Sequence, residues 1–193
     1  MNDFPKIWFL RHGETEWNAE GRIQGQLESD LTEAGQQQAR RQAELIDTVL
    51  AAETVQPPAI VSPLRRAQQT ARIALGGLRF VTDARLAEVQ AGVFQGLTRH
   101  DIAQRYPQIH ARAETNLDLF CSAPEGEGYG GLHARVLDLL RALEAPTVLV
   151  AHGLWGQVLR GIICGLDYEE MAALPNEQGC IYVLDEGAET VLR

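Results

Sequence analysis

Two histidines occupy matching places in the chain: Arg11-His12-Gly13-Glu14-Thr15 and Ala151-His152-Gly153 each follow directly on a short apolar run. A third such run ends at Ser62-Pro63-Leu64-Arg65-Arg66. In open α/β sheets ligands bind outside the carboxyl ends of the strands, so these three ends would bring two histidines and at least two arginines to one crevice. Ser62 suits an N-cap and Pro63 the first position of a helix. Two helix N-termini would then aim free N–H groups, those of Gly153 and Leu154 among them, at the same point. Helix N-termini favour anions, and an arginine fork matches tetrahedral phosphate oxygens in pairs where a lysine offers only a point charge. A neutral imidazole beside them can attack phosphorus and carry the group as phosphohistidine. The constellation therefore describes a phosphate site. A histidine that merely ends a strand and bonds locally is the competing reading, and it explains one such residue better than two at separate strand ends.

These residues need a sheet to hold them. Lys6–Leu10, Ala59–Ser62, Leu78–Thr82, Thr147–Ala151 and Cys180–Asp185 are rich in β-branched, aromatic and other apolar residues and bounded by Gly, Pro or polar positions, which reads as strands buried on both faces. Between them Thr32–Leu50, Leu64–Leu75, Tyr129–Leu143 and Leu154–Cys164 carry apolar or alanine positions at three- and four-residue spacing and read as helices. Strands alternating with helices imply a three-layer α/β/α sandwich around a mostly parallel sheet. The rhythm breaks at residues 92–131, with short helices expected at Thr98–Arg105 and Pro107–Thr115. Beyond them lies a stretch, Ala123 to Gly131, too rich in glycine for a regular element. That segment reads as an insertion over one end of the sheet, either a flap or an ordinary solvent loop, within a single domain spanning 1–193.

Composition narrows the class. The chain has 193 residues, 45% hydrophobic and 22% charged, with a net charge of −9, ordinary for a globular domain that buries roughly 70% of its unfolded surface without disulfides or a structural metal. The acidic balance argues against nucleic acid, whose phosphates need a basic field. It is compatible with a small anion held by a few clustered arginines. Cys121, Cys164 and Cys180 show neither CxxC spacing nor an even count, so a disulfide framework or zinc site is not signalled. With no apolar run of membrane-spanning length, the expectation is a cytoplasmic protein without a membrane partner. Oligomeric state is open.

The motifs resemble the histidine phosphatase superfamily, in its phosphoglycerate mutase-like branch 1. Arg11-His12-Gly13-Glu14-Thr15 with Trp17-Asn18, Arg22-Ile23-Gln24-Gly25 and Asp30-Leu31-Thr32-Glu33-Ala34-Gly35 is similar to that family's opening. Ser62-Pro63-Leu64-Arg65-Arg66-Ala67-Gln68-Gln69-Thr70-Ala71 resembles its second block, Leu86-Ala87-Glu88 with Gly92 and Gln95-Gly96 its third, and Ala151-His152-Gly153 its fourth. The resemblance implies that His12 is the transiently phosphorylated nucleophile and that Arg11, Arg66 and His152 surround the phosphoryl group. Asn18 would add a donor, Gln24 would sit at the pocket mouth, and Glu88 would be the acid that protonates the leaving oxygen. Taken alone, Glu88 reads as a solvated surface carboxylate. The implied reaction needs no metal or other cofactor, because guanidinium and imidazole groups neutralise the charge that spreads over the phosphoryl oxygens.

The same chemistry serves a mutase, which returns the phosphoryl group to a bound three-carbon acid, and a phosphatase, which gives it to water. Mutases of this family carry Arg-His-Tyr after the acid and usually threonine at the position of Gln24. Here Val89-Gln90-Ala91-Gly92 stands after Glu88, with no basic residue before Arg99. A phosphomonoesterase acting on small phosphorylated metabolites is expected, ahead of a mutase, a catalytically silent phosphate-binding relative, or a metal hydrolase using His12 and His152 as ligands. The absence of H-x-H, H-E-x-x-H or clustered-aspartate patterns weakens the last. Phe94, Ile102, Tyr106, Phe120 and Tyr129 are expected to line the outer pocket, Trp17 to shape its wall, and His100, His110 and His133 to lie at the surface. Glu127 matches a Gly-Glu-Ser stretch of the family in which Gly128 replaces the serine, leaving its role open.

Overall fold

The computed structural model describes residues 4–193. Six strands, β1 (Ile7–Arg11), β2 (Ala59–Val61), β3 (Phe80–Thr82), β4 (Thr147–Ala151), β5 (Ile181–Asp185) and β6 (Ala188–Leu192), form one sheet in the order β3-β2-β4-β1-β5-β6. The four strands from β3 to β1 pair in parallel, and β5 and β6 complete the sheet antiparallel. Side chains alternate across a strand, and both faces of β1 are covered. Ile7 and Phe9 pack on one side with Leu149, Trp155 and Tyr182, while Trp8 and Leu10 pack on the other with Val148, Val150 and Ile181. The first four β1 side chains are fully buried, which is why Ile-Trp-Phe-Leu reads as an unbroken apolar run.

After β1 come the short α1 (Glu16–Ala19) and then α2 (Glu33–Leu50), α3 (Arg65–Ala74), α4 (Arg99–Arg105), α5 (Pro107–Arg112), α6 (Asn116–Cys121), α7 (Gly128–Ala142), α8 (Gly153–Cys164) and α9 (Tyr168–Ala172). Helices α2 and α3 cover one face through Ile46, Ala67, Ala71 and Ala74. The other face is covered by α7, α8 and α9 through Val136, Leu139, Trp155, Val158 and Met171. This is the expected α/β/α sandwich. Among the described residues no helix is long and apolar enough to cross a membrane, and the three cysteines are unpaired.

The structure corrects the sequence reading at several points. The glycine-rich stretch overlaps the helix expected from Tyr129, and the helix prevails: α7 begins at Gly128, one residue earlier than expected, and runs through Gly130 and Gly131. Burial of Leu132, Val136, Leu139 and Leu140 on the sheet outweighs the cost of glycine in a first turn. Residues 92–131 hold three short helices over their own apolar cluster of Ala91, Phe94, Ile102, Leu119 and Ala123 with Ile23. The second of these stops at Arg112, because Thr115 caps the third in a reciprocal box with Asp118. The hairpin partner β6 was not foreseen. Its two-residue turn places Glu186 and Gly187 at φ 50° and 78°, a conformation favoured by Asn-Gly and rarely signalled by glutamate.

The β5–β6 hairpin is tied inward by a buried ion pair. Arg160 on α8, fully buried, donates to Glu189 at 2.5 and 2.8 Å and to the Pro175 carbonyl at 2.6 Å, and its guanidinium lies 4.0 Å from the Tyr182 ring centroid. Glu189→Ala leaves that cation with one carbonyl and one ring. It is expected to lower unfolding free energy by about 3 kcal/mol, read from the urea midpoint at pH 7.5.

Candidate active site

Strand register builds the site. Arg11 of β1 lies opposite Ala151 of β4 and Val61 of β2 opposite Val150. The next residue of each strand therefore emerges at one level: the His12 N–H donates to the Ala151 carbonyl at 3.0 Å and the Ser62 N–H to the Val150 carbonyl at 2.9 Å. The rings of His12 and His152 come to 5.1 Å between centroids. The turn after His12 presses on the first turn of α2, where a Cβ on Gly13 would stand 2.2 Å from the Gly35 carbonyl oxygen. Glycine at both positions allows that approach, and Thr70 and Gln38 accept from the N–H groups of Gly13 and Glu14 at 3.1 and 2.7 Å.

Hydrogen bonds hold both imidazoles and fix the tautomer of His12. His12 Nδ1 lies 2.7 Å from the Gly13 carbonyl, which can only accept, so Nδ1 carries the proton. Nε2 keeps its lone pair, toward which Arg66 Nε points at 3.3 Å. Arg66 is held by the carbonyls of Gly25 and Leu27 at 2.7 and 2.9 Å. His152 Nε2 lies 2.6 Å from Ser62 Oγ, while Nδ1 is buried without a partner. The Leu64 N–H also donates to that Oγ, at 3.3 Å. Arg11 donates to the Asn176 carbonyl, and its Nε is likewise buried and unpartnered. Asn18 Oδ1 accepts from the Thr15 N–H at 3.2 Å and from Gln178 at 3.4 Å.

Glu88, only 7% exposed, closes the site from the far side. Its carboxylate accepts the N–H groups of Leu154, Trp155 and Val89 at 3.1, 2.9 and 2.9 Å. The resulting cavity, of about 300 Å³, is lined by Arg11, His12, Asn18, Gln24, Arg66, Glu88, Gly153 and Leu154, together with Arg22, Arg99, Asn116, Phe120 and Asn176. Among the described residues, no group of three or more His, Cys, Asp or Glu side chains is placed to hold a metal ion.

Residues 7–191 match the family model described as histidine phosphatase superfamily (branch 1). The chain belongs to that superfamily. It is 36% identical to a probable phosphoglycerate mutase GpmB of an Enterobacter species over 83% of this chain and 75% of that relative. A glucosyl-3-phosphoglycerate phosphatase of Mycolicibacterium vanbaalenii is also 36% identical, over 88% of this chain and 78% of that one. The alpha-ribazole phosphatase of Shigella flexneri has the same fold, with a TM-score of 0.80 and 26% identity over 97% of this chain and 94% of that one.

In this member of the histidine phosphatase superfamily the structure brings together all nine residues singled out in the sequence, and it changes how some of them act. Leu154 does not offer a free N–H to a ligand, since Glu88 takes it. Glu88 is a buried group on the pocket wall rather than a solvated carboxylate. Ser62 is not an N-cap: α3 starts two residues beyond Pro63, at Arg65, and the serine serves His152. Of the five residues expected around the outer pocket, only Phe120 lines it. Phe94 and Ile102 are core, Tyr106 packs edge-on against Phe94, and Tyr129 packs against Tyr168. Trp17 lies outside the lining, against Gly96. His100 is exposed, and His110 and His133 are half-buried away from the pocket. Asn176 and Gln178 were missed. One acts through a backbone carbonyl and the other braces the His12 carbonyl at 3.1 Å, so neither has a motif to announce it.

Burial, then the charges of Arg66 and Arg11, hold His12 well below its usual 6.5. His152 is lowered in the same way, by burial first, then by Arg66 and by its neighbour His12. Burial also brings Arg66 down to about 10, leaving it cationic at neutral pH. The unfolded chain binds protons on both histidines below about pH 6.5 and the folded one does not, so stability is full above that pH and falls on acidification. The expected slope between pH 6 and 5 reaches about 1.4 kcal/mol per pH unit for each histidine, measurable from urea midpoints. His152→Gln should remove its share.

Proposed function

We propose that this chain is a phosphomonoesterase that hydrolyses small phosphorylated metabolites through a phosphohistidine at His12. The observation that carries the reading is the tautomer of His12: with Nδ1–H bound to the Gly13 carbonyl, Nε2 is unprotonated on the cavity side and accepts from Arg66 Nε at 3.3 Å. Arg66 and Arg11 are donors fixed before reaction around the place where phosphoryl charge develops, and the His152 ring stands beside His12. Gly153 adds its N–H and Asn18 its amide. In this reading Glu88 gives a proton to the leaving oxygen. Water then attacks the phosphohistidine, with Glu88 as the base that receives its proton.

Hydrolysis rather than transfer to a second acid is supported by the residues directly after Glu88. Val89 and Ala91 are buried in the core, so the segment presents no basic side chain of its own to a substrate carboxylate. The phosphatase relatives agree with that choice, and the mutase relative keeps transfer as the second reading.

The purified protein should hydrolyse p-nitrophenyl phosphate with full activity in a chelator; strict dependence on an added metal would overturn the mechanism. His12→Ala should lower kcat by about 10⁴-fold or more and abolish acid-labile labelling by a ³²P-ester. Glu88→Gln should slow alkyl phosphates by about 10²-fold or more while sparing the nitrophenyl ester, measured as kcat on the two substrates. Interconversion of phosphoglycerates faster than their hydrolysis would establish the mutase instead.

A further inference from the structure

The proposed acid Glu88 stands on backbone that belongs to no helix or strand. Its neighbours' carbonyls have no ladder to satisfy them, and buried carbonyls need donors. Trp155 Nε1 donates to the carbonyl of Arg85 at 2.7 Å and Gln26 Nε2 to that of Glu88 at 3.0 Å, and one further side chain reaches both of these and a third. Arg135 of α7 donates through Nη1 to the carbonyls of Arg85 and Ala87, each at 2.7 Å, and through Nη2 to that of Glu88 at 3.3 Å. The rest of the guanidinium forms a two-pronged pair with Glu127, Nη2 to Oε1 at 2.6 Å and Nε to Oε2 at 3.2 Å. Glu127 in turn grips the segment beyond the acid: its Oε1 accepts the Gln90 N–H at 2.8 Å, and its own N–H donates to the Gln90 carbonyl at 3.0 Å. One ion pair therefore holds the chain on both sides of residue 88. Neither member lines the cavity.

We infer that Arg135 and Glu127 are positioning residues for Glu88, together fixing its carboxyl opposite His12. The inference rests on the reading of Glu88 as the proton donor and extends it to residues that touch no substrate. Arginine is required because the fork must reach three carbonyls and a carboxylate at once, which a lysine ammonium with three donors at one point cannot do. Glu127 thereby acquires a role that its altered Gly-Glu-Gly context left open.

The test compares an alkyl phosphate, which needs the acid, with p-nitrophenyl phosphate, which barely does. Arg135→Lys and Glu127→Gln should each lower kcat for the alkyl ester by about tenfold or more, since a displacement of about 1 Å at a reacting group can cost 10²-fold. The nitrophenyl rate and both KM values should move little. In a Glu88→Gln background neither substitution should change the ratio of the two rates further, because the group being positioned is already gone. Equal losses on both esters, or a ratio that still shifts in that background, would show a merely structural ion pair. Two variants guard against one that fails to fold, and the melting temperature of each identifies that case. If Glu88→Gln itself treats both esters alike, the acid assignment fails. If it discriminates while Arg135→Lys and Glu127→Gln do not, only the positioning role fails.

Discussion

The parallel, in-register pairing of β1 with β4 is the constraint on which everything else depends. It sets Arg11 opposite Ala151 and therefore brings out His12 and His152 side by side, with Ser62 arriving from the adjoining strand. A slip of one residue would send every side chain of β1 to the other face of the sheet. Because Ile7, Trp8, Phe9 and Leu10 are all buried, such a slip meets mismatched packing on both faces. The core thus does more than stabilise the fold, since its packing on β1 fixes where the imidazoles emerge.

The site's charges are arranged so that they remain available. Arg11 and Arg66 are held by carbonyls, from Asn176 in one case and Gly25 and Leu27 in the other, rather than by carboxylates. A carbonyl orients a guanidinium without neutralising it, so the positive field survives for a ligand. The N-terminus of α8 obeys a different rule. Two of its N–H groups serve Glu88, so the helix that would ordinarily bind an external anion binds an internal one. A chain of net charge −9 can in this way present a small, strongly cationic pocket with a single carboxylate on its wall.

Much of this was legible in the residues themselves. The strands that carry His12 and His152 are apolar runs bounded by motif residues, and their helices keep a clear three-to-four spacing, so the sandwich and the meeting of the two histidines could be read directly. Glu88 could be assigned only through the family resemblance, because it sits on irregular backbone where no periodicity applies. Leu154 was misjudged for a related reason: a free helix end looks the same in sequence whether a ligand or a distant side chain will occupy it. Gly128 hid only the first residue of α7, because burial of Leu132, Val136, Leu139 and Leu140 overrides local propensity there. Asn176 was invisible because its carbonyl, common to every residue type, is what holds Arg11.

The partners of β1 also order events in time. Its neighbours β4 and β5 lie far downstream, with Thr147, the partner of Ile7, 140 positions along the chain. At ribosomal speeds of about 5–20 residues per second, the strand that ends at His12 waits on the order of ten to thirty seconds for the first of them. During that interval a strand with four successive apolar residues lacks both of its sheet partners, and the pocket does not exist. The site is therefore completed only once β4 and β5 have been made, and until then the apolar stretch from Ile7 to Leu10 lacks the strands it pairs with in the folded sheet.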